Sequence, residues 1–152
     1  YTRSGEFVRQ ALKQVGIEVT LRNHDLPTFL RKVFSERDFD TLNSFYAAFP
    51  DPQIGVHRRF STEAIKTGTP WSNASGYSKP ETDAIINAIQ TEGDIARRVE
   101  LIHQLQRVAQ ADLPSITLLE LRPFRVFSAR LEGVNVKPDG GGASLKEVAF
   151  AS

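Results

Sequence analysis

The sequence predicts an α/β fold, and three observations predict it. Some stretches carry apolar residues at helical spacing and others carry them with period two. Over residues 1–50 the two kinds of stretch alternate as helix, strand, helix, strand. The loops between them are short, so the two strands are most simply parallel, with a right-handed crossover.

The elements follow in order. Ser4 is the expected N-cap of a first helix, with Phe7, Val8, Ala11, Leu12 and Val15 as its apolar stripe. Gly16 ends it. Ile17, Val19 and Leu21 then alternate with polar neighbours, as on a strand with one covered face. Asp25 and Pro27 restart a helix with Leu26, Phe29, Leu30, Val33 and Phe34 inward. Phe39 to Phe49, rich in aromatic and aliphatic residues, reads as a second strand, broken by Pro50, Asp51 and Pro52. A short helix is expected over residues 53–60, and Ser61 to Tyr77 reads as a long loop.

Ser78-Lys79-Pro80-Glu81 has the form of a capping box with proline in the first turn. Ile85, Ile86 and Ile89 follow, Gly93 ends that helix and Asp94 caps the next. Ile95, Val99, Ile102, Leu105 and Ala109 make the stripe of the second helix, up to Pro114. Two amphipathic helices with so tight a connection predict an antiparallel pair. Beyond them, strands are expected at Ile116 to Leu121, Phe124 to Phe127, Leu131 to Val136 and Leu145 to Phe150, with a glycine turn at Asp139 to Gly142.

Composition excludes several functions. Hydrophobic residues make up 40% and charged residues 24% of 152, the balance of an ordinary globular domain. A net charge of +1 builds no field for nucleic acid, and the doublets Arg58–Arg59 and Arg97–Arg98 read as solvated faces. The absence of cysteine removes disulfides, thiolate metal sites and cysteine nucleophiles. No apolar run approaches the ~20 residues of a membrane span. The chain opens at Tyr1, has no methionine and enters a helical pattern almost at once, as expected of a segment of a longer protein.

Few constellations carry chemistry. The G-x-S-x-G elbow is absent, and His24, His57 and His103 are scattered, without the i, i+4 pairing of a zinc helix. His103 lies beside an apolar stripe, as a helix-edge histidine does. Gly140 to Gly142 lack the Lys-Ser/Thr of a phosphate loop. What remains is aromatic: Phe45, Tyr46, Phe49, Trp71 and Tyr77, at or beyond a strand end or in the following loop. Aromatics there either line a small-molecule cleft or cover the sheet edge as core.

Phe7 to Ile17 reads F-V-R-Q-A-L-K-Q-V-G-I. An alternating strand and a helix follow, then R-D-F-D at Arg37 to Asp40 and the aromatic strand. P-D-P stands at Pro50 to Pro52, S-G-Y at Ser75 to Tyr77, and A-D-L-P at Ala111 to Pro114, after the two helices. This ordered series, over nearly the whole chain, resembles the C-terminal part of the family-5 extracellular solute-binding proteins of ABC importers, the oligopeptide-, dipeptide- and nickel-binding type.

The resemblance implies one lobe of a bilobal periplasmic-binding-protein-like fold (type II, cluster C-like), with a mixed sheet flanked by helices. Residues 1–113 would be the ligand-binding lobe. Residues 114–152 would be a strand-rich segment returning toward the protein's N-terminal lobe, whose interface would leave an apolar strip around Leu118 to Phe127. It implies a periplasmic location, a permease partner in the membrane, a small solute or peptide held between lobes, no cofactor and no catalysis. In peptide-binding members an aromatic residue before the P-D-P turn contacts the peptide, and Phe45 stands there. Three residues on, those members place an aspartate for the peptide's free amine, and Ala48 stands there. A methyl group cannot pair with an ammonium. Asn73, Trp71 and Tyr77 fall in a loop that reaches the ligand in such proteins. Asp51 either contacts ligand or braces the proline turn. Two other classes remain open on the residues alone: a hydrolase using His57 or His24, and a stand-alone interaction domain.

Overall fold

The computed structural model describes residues 2–47, 51, 55–120, 126–134, 146 and 148–151. Its described residues are helix-rich, with one two-stranded sheet. Helix α1 spans Thr2–Gln14 and α2 spans Leu26–Leu30, running on into a π-helical turn, Arg31–Glu36. Two 3₁₀ turns, His57–Arg59 and Thr62–Ala64, precede α3 (Pro80–Thr91) and α4 (Ile95–Asp112). Strands β1 (Leu131–Glu132) and β2 (Ala149–Phe150) pair antiparallel, with Leu131 opposite Phe150.

The helical pair holds one core. Ile85, Ile86 and Ile89 of α3 pack with Leu105 of α4 and with Phe60, and Leu101, Ile102 and Val108 close over them. Asp94 caps α4 by accepting from the Arg97 N–H at 2.9 Å. At the far end Leu113 takes a left-handed φ of 48° and its N–H returns to the Ala109 carbonyl, the turn that Pro114 then prevents from continuing. The stripe expected on α4 is covered only in part: Ile95 and Val99 are exposed.

A second core lies under the α2 turn, where Val33 and Phe34 bury against Ala74 with Phe29, Leu30, Phe39 and Leu42 around them. Asp25 caps α2, accepting from the Thr28 N–H at 2.8 Å. Arg37 ends the π-helical turn at a left-handed φ of 52°, and its guanidinium donates to the Ala74 carbonyl, tying the two parts of this core.

The strand expectations need correction. Residues 17–25, 42–47 and 115–120 form no regular structure, so no parallel sheet is present among the described residues. A strand has no hydrogen bonds of its own and exists only in a ladder. Period-two patterning survives without one: Leu42, Ser44 and Tyr46 are half-buried while Asn43, Phe45 and Ala47 are exposed. Val19 and Leu21 are likewise more covered than Thr20 and Arg22. Both segments meet α1 at Gly5, where a β-carbon would stand 3.5 Å from Leu21 Cδ2 and 3.8 Å from Asn43 Nδ2.

Helix starts also differ from expectation. Ser4 lies inside α1 rather than at its cap, and its hydroxyl accepts from Asn43 Nδ2 at 2.9 Å. Ser78 does not close a capping box, because its hydroxyl bonds that of Thr62 and Lys79 takes the cap position. Of the expected apolar strip, Leu118, Leu119, Val126 and Phe127 are exposed, and residues 121–125 lie outside the described residues. Among the described residues no helix is long and apolar enough to cross a membrane.

Candidate functional site

Asn73 ties together the two ends of the loop from Ser61 to Tyr77. It is 1% exposed, and its amide donates to the carbonyls of Ser61 (3.0 Å) and Tyr77 (2.7 Å). Its oxygen accepts from the Ser75 hydroxyl and the Gly76 N–H. Four hydrogen bonds are the full capacity of a primary amide, so Asn73 shapes the loop and has nothing left to offer a solute.

The turn before Asn73 carries Trp71, at a left-handed φ of 53°. That conformation costs a bulky residue roughly 1–2 kcal/mol. The Ser72 hydroxyl, donating to the Thr69 carbonyl at 2.6 Å, helps hold it. Trp71 thereby lies between two rings, Phe34 from the core and Phe45 from residues 42–47, each with centroids 6.2 Å away. Phe45 is 46% exposed, so this aromatic stack runs from the core to the surface.

Tyr46 packs on the other side of its segment. Its hydroxyl donates to the Ser72 carbonyl at 2.9 Å, and the Arg59 guanidinium carbon stands 4.4 Å from its ring centroid. Burial pushes the Tyr46 phenol up from its usual pKa, against the pull of Arg59 and Arg58, and burial pushes Arg59 down. Arg59 was expected on a solvated face and is half-buried over Tyr46 and Phe60. An arginine doublet next to a predicted helix end carries no sign of this. The aromatic partners are distant in sequence.

Tyr77 is not part of this stack. Its ring meets Phe60 edge-on in the helical core, and its hydroxyl bonds Thr82 and Asp112. Asp51 forms a two-oxygen contact with Arg98 Nη2 (2.6 and 2.5 Å), which ties Asp51 to α4; Pro50 and Pro52 lie outside the described residues. Ala48 and Phe49 lie outside the described residues.

The histidines are placed as follows. His57 is 3% exposed; burial holds its pKa below the usual value, against the opposing pull of Asp51. Its Nδ1 is buried with no hydrogen-bond partner. His24 is exposed, as is His103, which stands 4.0 Å from Glu100. Among the described residues no group of three or more His, Asp or Glu side chains is arranged to hold a metal ion.

No protein-family model matches the chain, and no curated protein matches it significantly.

Proposed function

We propose that this chain is the C-terminal lobe of a solute-binding protein that delivers a small solute to an ABC permease from the periplasm. It binds the solute without converting it, in a cleft closed by a second lobe. Closure is a population shift: the solute favours the closed form in proportion to its extra contacts there. The mixed sheet of such a lobe would place residues 17–22 and 42–47 as strands, and the period-two burial of residues 19–22 and 42–47 supports that placement, although Ile17 is exposed.

The observation that carries the reading is the Phe45–Trp71 stack. A large apolar ring stays at the surface, on a tryptophan held in an unfavourable backbone conformation. Strain of this kind is more often kept at ligand sites than elsewhere. Phe45 and Trp71 would supply the apolar wall for the solute. Ala48 argues against a free-amine anchor at its position, so a non-peptide solute or an amine-blocked peptide is favoured.

Trp71 is the sole tryptophan, which makes the test direct. The intact protein is titrated with free-amine dipeptides and with non-peptide solutes while Trp71 emission and melting temperature are followed. A ligand at a hundred times its Kd adds about 2.7 kcal/mol. The expected result is a non-peptide or amine-blocked ligand that changes Trp71 emission, with the change lost in Phe45→Ala. Turnover of the ligand, or binding unaffected by Phe45→Ala, would overturn the reading.

A further inference from the structure

A recess of about 190 Å³ opens between the His57–Arg59 turn, the Thr62–Ala64 turn and helix α3. At ~30 Å³ per water it has room for about six, so it exceeds a bare ion and suits a small group on a short body. Its polar wall is Arg58, Lys66, Ser61, Gln90 and Glu63, and Ile86 and Ala64 line its apolar part. His57, almost fully buried, also borders it.

Several cations of the molecule stand against carboxylates: Arg22 and Lys32 on Asp38, Lys79 on Asp112, Arg98 on Asp51. Among the described residues, the side chains of Arg58 and Lys66 have neither an ion pair nor a hydrogen bond. Arg58 is half-buried, and its Nε is buried with no partner, as is Nδ1 of His57 beside it. The recess therefore presents two cations without a carboxylate or hydrogen-bond partner among the described residues, which favours an acceptor-rich guest. Glu63 is the single acid of the wall.

We propose that this recess binds a small oxyanion, a carboxylate or phosphate group on a short body, through Arg58 and Lys66. Arginine presents a planar fork that matches two oxygens of either group, and lysine adds a point charge. The Ser61 hydroxyl and the Gln90 amide supply neutral donors, Ile86 and Ala64 meet the body, and Glu63 weakens the site by repulsion. This inference stands apart from the Phe45–Trp71 reading and survives its failure.

The test uses the intact protein with two probes, inorganic phosphate and glutarate, followed by calorimetry and by the Arg58 Nε–H signal in ¹H–¹⁵N spectra. At least one probe binds and moves that signal. Arg58→Gln and Lys66→Gln each weaken it about tenfold, the loss expected for one charge-assisted contact. Glu63→Gln, at an exposed position, strengthens it. Phosphate alone binding assigns a phosphoryl group, and glutarate alone assigns a carboxylate. If neither probe moves the Arg58 signal, or if Glu63→Gln and Lys66→Gln both leave affinity unchanged, the proposal fails.

Discussion

The α3–α4 pair and the α1 region are built from similarly patterned sequence and end differently. In the pair, each helix satisfies its own backbone and needs only an apolar face to cover; Ile89 is fully buried between the two. Around α1, Phe7 and Val15 stay largely exposed, and two strand-patterned segments lie without a ladder. Helix hydrogen bonds are local, so a helical hairpin completes itself. Sheet hydrogen bonds are made between strands, so a strand pattern yields a strand only where a second one stands alongside. The comparison teaches that the same quality of sequence signal is worth more for a helix than for a strand.

Core substitution separates the two regions most strongly. Ile89→Ala should cost about 2–5 kcal/mol, from lost burial and the cavity left behind. Phe7→Ala, at 67% exposure, should change stability by less than about 0.5 kcal/mol. Urea denaturation of both variants measures this. Equal losses would mean that the α1 face is covered in solution and the contrast is unsound.

The next effect concerns the loop that joins the two cores. Asn73→Ala removes four part-buried hydrogen bonds, two to carbonyls and two from donors, and a loss of about 2–3 kcal/mol is expected. Because Trp71 depends on that loop, its emission should shift to the red in the folded variant. A stable variant with unchanged emission would show that the turn holds itself.

The smallest effect is electrostatic. Asp112 is held below the usual carboxylate range, first by the hydrogen bond from Lys79 and then by that from Tyr77. A carboxyl whose pKa is depressed on folding contributes stability that is complete above its unfolded value, about 3.9 for Asp, and is lost as pH falls through the folded value. The melting temperature of the parent should therefore fall more steeply below about pH 4 than that of Asp112→Asn. Parallel acid limbs would show that the Lys79–Tyr77–Asp112 contact does not couple to folding.

Much of this molecule was readable from residue order. Asp25 and Asp94 announced their caps, and Ile85, Ile86, Ile89 and Leu105 announced the helical core, because capping and periodicity act within a few residues. Phe45 and Trp71 were legible as candidates by type and by place in the chain. Their contact was not, nor was the roll of Asn73 inside its loop: a buried amide and a ligand-facing amide look alike in sequence. Arg58 and Arg59 left no trace at all, since an arginine doublet gives no hint of which acids stand near it.

The sequence by itself determined where the main helices lie, the caps at Asp25 and Asp94, and the isoleucines and Leu105 of the pair's core. Only the tertiary structure decided which strand-patterned segments acquired a ladder, which polar side chains were spent on the backbone, and which cations lacked a carboxylate. The reason is range. Helical hydrogen bonds and caps link residues about four apart, whereas Arg98 finds Asp51 at a separation of 47 and Asn43 finds Ser4 at 39. Pairings of that kind are made by the folded chain as a whole.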